Sequence, residues 1–493
     1  MSVYLIGTGP GDPELLTLKA SRIISRSDVL VYDDLIPGEI LLLARKDADR
    51  IYVGKRGGRD YMSQDKINDL LAELGTKGLE VARLKGGDPC IFGRGGEEAL
   101  FLRDRGIPVE IIPGITSAIA GPISIGIPPT HRGLASSVTF VTAHEDPAKE
   151  SGFLDYSLLA RQSGTIIFLM GATRIAAIAE RLVAEGMDPQ MPCALVQDAT
   201  TPKQRHLVTC LDKVGHLASR HGIASPCVMI VGKVAELSSS LHQDKVLPLH
   251  GMSILITRPR HLALQSASLF ASAGAIPVIY PLLDIRSIDF ALPDISHYDM
   301  VIFTSQNAVP LFMDKLFASG LDARAFSGKE IVCIGPKTRD ALRTFGITAD
   351  IMAQEYRAEG IMAMIGSRDL TGQRICIPRA KGARSFLITA LRQKGAEVLE
   401  IPLYETALPS DANPVDFIQA LSEVNTVLFT SPSGVRHASY LLRGELDLVR
   451  EKRIVAIGPV TAQALEAHDV QAEVVPDEYT DAGIIEALKG TVP

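Results

Sequence analysis

Residues 83–98, RLKGGDPCIFGRGGEE, hold five glycines, two arginines, a lysine and three acids. Glycines at a strand-to-helix turn let the backbone approach a ligand, and their N–H groups can face an anion. A carboxylate at the tip of such a turn, here Asp88, can accept hydrogen bonds from ribose hydroxyls or an amino group. A second glycine loop, Gly7-Thr8-Gly9-Pro10-Gly11-Asp12, also follows a strand and precedes a helix. It departs from the dinucleotide pattern GxGxxG at Pro10 and Asp12, and no Gly-Lys-Ser/Thr follows to make a P-loop. Four further segments carry small or polar groups at turns: Pro113-Gly114-Ile115-Thr116-Ser117-Ala118, Pro128-Pro129-Thr130-His131-Arg132, Phe168-Leu169-Met170-Gly171, and residues 197–205 around Ala199.

The elements that must position these turns read as alternating strands and helices. Short apolar runs at 3–7, 28–32, 51–54, 81–85, 138–142, 165–170 and 228–232 predict strands, with helical patterns at 64–74 and 174–185 between them. This alternation is the α/β signature. Residues 236–251, ELSSSLHQDKVLPLHG, are polar, lack a period and read as a linker. The second half repeats itself. ILITRPRHLALQSASLFASAGAIPVIYPLLDI from Ile254 aligns with ICIPRAKGARSFLITALRQKGAEVLEIPLYET from Ile375, placing Arg258 on Arg379, Gly274 on Gly395 and Pro281 on Pro402. VIFTSQNAV at Val301 pairs with VLFTSPSGV at Val427, and IVCIGPKTRDAL at Ile331 with IVAIGPVTAQAL at Ile454. Three matched blocks in one order predict two similar doubly wound α/β lobes across a cleft, with ligand at the C-terminal strand ends. Two copies are too few for a solenoid.

Length and composition agree. The 493 residues allow two to four domains, and 22% charged with 46% apolar residues is an ordinary globular balance. The net charge is −7 and neither half is basic, so no nucleic-acid partner is expected. No apolar run reaches membrane-spanning length, and the N-terminus has no basic n-region or cleavage site, so the expectation is a cytoplasmic protein without a membrane partner. The six cysteines form no CxxC pair and none has a histidine at zinc-ligand spacing, so free thiols and no metal are expected.

Taken together, the glycine loops, VGKRGGRDYMSQDKIN at Val53, RLKGGDPCIFGRGGEE, PGITSA and PTHR closely resemble the uroporphyrinogen-III C-methyltransferase family, from residue 1 to about 235. The resemblance implies a two-lobed tetrapyrrole methylase fold with S-adenosylmethionine in the cleft. It implies cofactor contacts from Pro10, Gly86, Asp88, Ile91, Thr116, Ser117, Met170 and Ala199. Ala199 departs from the family, which usually has glycine there, and a methyl group is tolerated only where φ is negative. Asp33 matches the family's carboxylate at its strand end and is the candidate base; the alternative is a helix or turn cap. The implied substrate carries eight carboxylates, for which Lys55, Arg56 and Arg132 are candidate partners, with Arg83, Arg94 and His131 behind them. A homodimer through this domain is also implied.

From about Ser253 to the end, ILITRP, FTSQNAV, IGPKTRDAL, PLYET, FTSPSGVR and IGPVTAQAL resemble uroporphyrinogen-III synthase. The resemblance implies that the chain crosses twice between lobes, about 253–284 plus 408–493 forming one and about 285–407 the other. It implies closure of hydroxymethylbilane with inversion of ring D. Tyr404 matches the family's tyrosine, expected to assist loss of hydroxyl. Ser305, Thr338, Ser431, Ser433 and Thr461 are placed by the repeat as substrate donors, and Arg258 and Arg379 as carboxylate partners. The domain expectation is a methyltransferase over 1–238, a linker over 239–252 and a synthase over 253–493. Together they give a bifunctional tetrapyrrole enzyme that makes uroporphyrinogen III and methylates it twice to precorrin-2. Siroheme synthase is disfavoured, because no dehydrogenase/chelatase unit is visible. Methylation of a later corrin precursor, or a C-terminal half that only senses or docks a ligand, are the remaining alternatives.

Overall fold

The computed structural model describes residues 2–45, 47–54, 62–143, 154–242, 247–355 and 358–490. Its strands fall into four sheets. The first contains β1 (Val3–Gly7), β2 (Val29–Tyr32), β3 (Asp49–Tyr52), β4 (Val81–Lys85) and β5 (Val109–Ile112), in the order β3-β2-β4-β1-β5. All its pairings are parallel. β1 and β4 are buried along their whole length, as strands covered on both faces must be. Alternate residues divide between two cores: Tyr4, Ile6, Leu30 and Leu84 on one face, and Val3, Leu5, Val31 and Val81 on the other. The helices Gln64–Thr76 and Gly95–Arg103 cover the second face through Leu71, Leu74, Ala99 and Leu102.

The second sheet is mixed. It contains β6 (Val138–Thr142), β7 (Thr165–Leu169), β8 (Pro192–Gln197), β9 (Arg205–Cys210) and β10 (Cys227–Val231), ordered β6-β7-β10-β8-β9. Only β6 and β7 run parallel; the other neighbours are antiparallel. The stretch 236–251 differs from a featureless linker. It begins inside a 3₁₀ turn, Lys233–Leu237, and continues as a short helix, Ser238–Leu241. Its serines read as loop by composition, but Val234 and Ala235 are fully buried and Ser238 Oγ donates to the Ile125 carbonyl at 2.7 Å.

Beyond residue 247 the strands are β11 (Ser253–Ile256), β12 (Ile276–Ile279), β13 (Asp284–Ser287), β14 (Met300–Phe303), β15 (Glu330–Cys333), β16 (Ile351–Met352), β17 (Arg374–Ala380), β18 (Glu397–Ala407), β19 (Thr426–Phe429) and β20 (Arg453–Ala456). The third sheet, β12-β11-β19-β20, is wholly parallel. The fourth, β13-β18-β17-β14-β15-β16, is parallel except for the edge pair β13/β18. Each sheet has an apolar cluster on either face, the doubly wound arrangement that the repeat predicts. β18 shifts register against β17 between Arg379 and Ala380, and this irregularity delivers Tyr404 to the C-terminal edge. Among the described residues no helix is long and apolar enough to cross a membrane, and no group of three or more His, Cys, Asp or Glu side chains could hold a metal ion.

Candidate active sites

The C-terminal ends of β1, β4 and β5 meet in an all-backbone junction. A Cβ on Gly7 would lie 2.6 Å from the Gly114 nitrogen and 2.7 Å from the Gly87 oxygen, so no side chain fits. Gly87 adopts φ +68, where glycine carries no steric cost, and it exchanges backbone hydrogen bonds with Gly9 at 2.7 and 3.2 Å. Asp88 staples the loops: Oδ2 accepts from Gly114 N–H at 3.0 Å and Oδ1 from Cys90 N–H at 2.8 Å. A Cβ on Gly86 would meet the Leu35 side chain at 2.9 Å. Thr116 caps the helix Ser117–Ser124 through Ala118 N–H.

The second lobe closes on this edge from the loop after β8. Asp12 N–H donates to Thr200 Oγ1 at 3.2 Å, and the site of a Cβ on Gly11 lies 3.2 Å from the Ala199 carbonyl. Asp198 and Thr200 have positive φ, but Ala199 between them does not, so its methyl group is unstrained. Met170, at the end of β7, is 52% exposed with φ +59. It is therefore no core methionine, and its left-handed backbone is uncommon for a residue other than glycine. Pro10 and Ser117 are half-buried and Ile91 is exposed, all at the same edge.

Asp33 follows β2 at that edge. Its Oδ1 accepts from Leu35 N–H at 3.1 Å, the turn cap anticipated as its alternative role, while Oδ2 meets Arg83 Nη2 at 3.1 Å. Arg83 is 4% exposed, which removes it from the pool of open substrate cations. Arg94 forms a fork with Glu97, its Nη2 2.7 Å from Oε2. Arg132 and His131 are exposed on a tight turn bridged to Ala135. Lys55 and Arg56 lie outside the described residues.

In the C-terminal half the structure brings Tyr404 and Ser305 together. The phenol, 5% exposed, donates to Ser305 Oγ at 2.8 Å, and Ser305 Oγ also accepts from Asn307 N–H at 3.1 Å. Burial pushes the Tyr404 hydroxyl above its ordinary value, while the hydrogen bonds with Ser305 and Asn307 and the nearby Arg379 charge pull it back. Ser431 caps the helix Pro432–Leu441 through Gly434 N–H, and Ser433 Oγ accepts from Arg436 at 2.8 Å. Thr338 and Thr461 are buried in the first turns of the helices Pro336–Thr344 and Pro459–Glu466. The repeat pair Arg258 and Arg379 separates. Arg258 is buried, with Nη1 2.7 Å from Asp481 Oδ2 and 2.8 Å from Ser266 Oγ, so it is committed to an internal acid and not open to a substrate carboxylate. Arg379, 4% exposed, donates to the Arg384 carbonyl at 2.7 Å, but its Nε and Nη1 have no hydrogen-bond partner.

Sequence inspection passed over Glu98 as a partner of Lys85 and Arg83, although GRGGEE displays it, and passed over Asp481 and Asn307. Asn307 sits in the FTSQNAV block, whereas nothing local marks Asp481. Burial pushes the Cys193, Cys227 and Cys376 thiols up to about 12, which keeps them protonated and inert near neutral pH.

Comparison with known proteins covers both halves. Residues 2–215 match the family of Tetrapyrrole (Corrin/Porphyrin) Methylases, and residues 265–486 match Uroporphyrinogen-III synthase HemD. The porphyrin biosynthesis protein HemD of Ruminiclostridium josui is 33% identical over 497 residues, covering 99% of this chain and 97% of that protein. An S-adenosyl-L-methionine-dependent uroporphyrinogen III methyltransferase of Methanosarcina barkeri is 46% identical over 49% of this chain and 95% of its own length. Siroheme synthase 2 of Cronobacter sakazakii is 48% identical, but the match spans only 49% of this chain and 51% of that enzyme. With a relative similar from end to end and each half matching its own family, the chain belongs to the HemD porphyrin-biosynthesis family, in which a tetrapyrrole methylase is fused to a uroporphyrinogen-III synthase.

Proposed function

We propose that the C-terminal half cyclises hydroxymethylbilane to uroporphyrinogen III and that the N-terminal half methylates this product twice to precorrin-2, toward siroheme or cobalamin. The observation that carries this reading is the presence, in one chain, of the methylase match over 2–215 and the synthase match over 265–486. The boundaries are taken as 1–238 and 253–493, joined by 239–252. A cytoplasmic homodimer through the methyltransferase unit is part of the same reading.

The glycine junction is compatible with S-adenosylmethionine, because Gly7, Gly87 and Gly114 pack backbone to backbone and bring the loops at three strand ends together without side chains between them. Pro10, Gly86, Asp88, Ile91, Thr116, Ser117, Met170 and Ala199 would hold it. When bound, it supplies an electrophilic methyl group. Asp33 accepts the proton that the macrocycle releases after the new carbon–carbon bond has formed. Arg132, Lys55 and Arg56 pair with substrate carboxylates. In the synthase, Tyr404 gives its proton to the departing hydroxyl, which leaves as water, and regains a proton when the closed macrocycle loses one. Arg379 faces the phenolate formed in between. Ser305, Ser431, Ser433, Thr338 and Thr461 mark the strand ends against which the folded tetrapyrrole rests.

The test supplies hydroxymethylbilane to the pure protein with and without S-adenosylmethionine and analyses isomer and mass. Type III product without the cofactor, and a product two methyl groups heavier with it, supports both activities. Type I isomer alone reduces the C-terminal half to a ligand-sensing or docking unit. Type III product that gains no methyl group removes the methyltransferase reading.

A further inference from the structure

Beneath Asp33, β4 carries two cations for which methyl transfer as derived above has no use. Arg83 and Lys85 flank Leu84, so both side chains leave the same face of the sheet, and they are only 4% and 6% exposed. Glu98, on the helix Gly95–Arg103, opposes them and is fully buried. Its Oε1 accepts from Lys85 Nζ at 2.8 Å and Gln64 Nε2 at 3.0 Å and lies 3.8 Å from Arg83 Nε. Arg83 completes the series outward: Nη1 donates to the Leu84 carbonyl at 2.9 Å and Nη2 reaches Asp33 at 3.1 Å.

Each of these charges loses several kcal/mol of hydration on burial, a cost that a well-packed apolar cluster of the same volume avoids. Glu98 Oε2 and Arg83 Nε also have no hydrogen-bond partner, so the cluster is not optimised for stability. Lys85 is held below its ordinary ammonium value, mainly by burial and secondly by Arg83, with Glu98 and Asp33 opposing. What the cluster does accomplish is orientation. It ends on the partly exposed carboxylate of Asp33, and it fixes a guanidinium that touches that carboxylate.

We propose that Glu98 and Arg83 are positioning residues for methyl transfer: Glu98 holds the Arg83 guanidinium, and Arg83 holds the Asp33 carboxylate in the orientation in which it takes the proton from the methylated macrocycle. This rests on Asp33 being the base. The atoms balance, since the carbon–carbon bond forms as carbon–sulfur breaks, the positive charge passes to the macrocycle, and one proton leaves it for Asp33.

The experiment uses the full chain and compares Glu98→Gln, Arg83→Lys and Asp33→Asn, singly and combined, in steady-state methylation of uroporphyrinogen III. S-adenosylhomocysteine affinity and thermal unfolding are measured alongside. Glu98→Gln and Arg83→Lys are each expected to lower kcat roughly 10- to 100-fold with KM and S-adenosylhomocysteine affinity nearly unchanged. In the Asp33→Asn background the same changes are expected to cost almost nothing more, because they act through Asp33. Should Glu98→Gln fail to fold, Arg83→Lys carries the test alone, since it keeps the charge and removes only the fork. Losses that multiply in the Asp33→Asn background overturn the positioning role while leaving Asp33 as base. Full activity of Asp33→Asn overturns the base and the proposal with it.

Discussion

Arg258 Nη1 lies 2.7 Å from Asp481 Oδ2, closing the end of β11 onto a helix 223 positions further along the chain. Both groups are nearly fully buried, and Ser266 Oγ bridges them at 2.8 and 3.1 Å. Breaking a buried ion pair on one side leaves an uncompensated charge and costs about 3–5 kcal/mol. Asp481→Ala is therefore expected to destabilise the C-terminal half by that amount, read from its urea unfolding transition. Arg258→Met with Asp481→Leu should recover most of it. If the single and double variants unfold alike, the pair is not what holds the helix Asp481–Leu488 in place.

Its repeat counterpart, Arg379, predicts the opposite profile. Glu400, partly exposed, offers it a carboxylate 3.5 Å from Nε, and its Nε and Nη1 have no hydrogen-bond partner among the described residues. A hydrogen bond to a charged group contributes about 1.5–3 kcal/mol, so Arg379→Met is expected to raise KM for hydroxymethylbilane roughly 10- to 100-fold with little loss of stability. A stability loss matching that of Asp481→Ala, with unchanged KM, would place Arg379 in the structural class as well.

These two arginines mark where sequence inspection runs out. The repeat is legible because strand periodicity and the FTS and IGPxT blocks are local, and it made Arg258 and Arg379 look equivalent. Their difference depends on Asp481, a partner that no spacing rule connects to position 258. The glycine loops were legible for the same local reason: glycine and proline at strand ends punctuate any α/β chain. The Arg83–Asp33 contact, across 50 positions, was not. Within 236–251, composition did not reveal the short helix or the Ile125 carbonyl to which Ser238 donates.

Tyr404 gives a pH prediction. Burial raises its pKa above the ordinary value of about 10, so the proton-donating form persists until the pH climbs past that value. Cyclisation should then show no tyrosine-dependent fall below about pH 10. Tyr404→Phe should lower the type III rate by a constant factor, on the order of 10²–10⁴, across that range. A wild-type alkaline limb near pH 8 that disappears in Tyr404→Phe would contradict a buried, neutral phenol.

The glycine junction and Ala199 form a contrasting pair. A methyl group on Gly114 would sit 2.7 Å from Gly7 Cα, where only backbone can yield. Gly114→Ala is expected to abolish S-adenosylhomocysteine binding by calorimetry while cyclisation in the other half persists. Ala199→Gly should bind within a few-fold of wild type, because Ala199 is not left-handed and its methyl group is unstrained. Equal losses from both substitutions would mean that the cleft depends on the loop after β8 as strongly as on the junction.

Met170 combines strain with exposure. A non-glycine residue in the left-handed region costs on the order of 1 kcal/mol or more, retained where the surrounding structure uses the conformation. Here φ is +59 at the end of β7, and the residue is 52% exposed. Met170→Gly removes the steric conflict but widens the unfolded ensemble, so the stability change should be small, within about 1 kcal/mol of wild type. If Met170 contacts the cofactor as proposed, methylation should fall further than that, through a raised KM for S-adenosylmethionine. Met170→Leu separates the two effects: it keeps the strain and the apolar volume and should retain most of the activity. If Met170→Gly instead methylates as fast as wild type, the strained conformation serves only the turn into Gly171, and the cofactor contact must come from elsewhere on that edge.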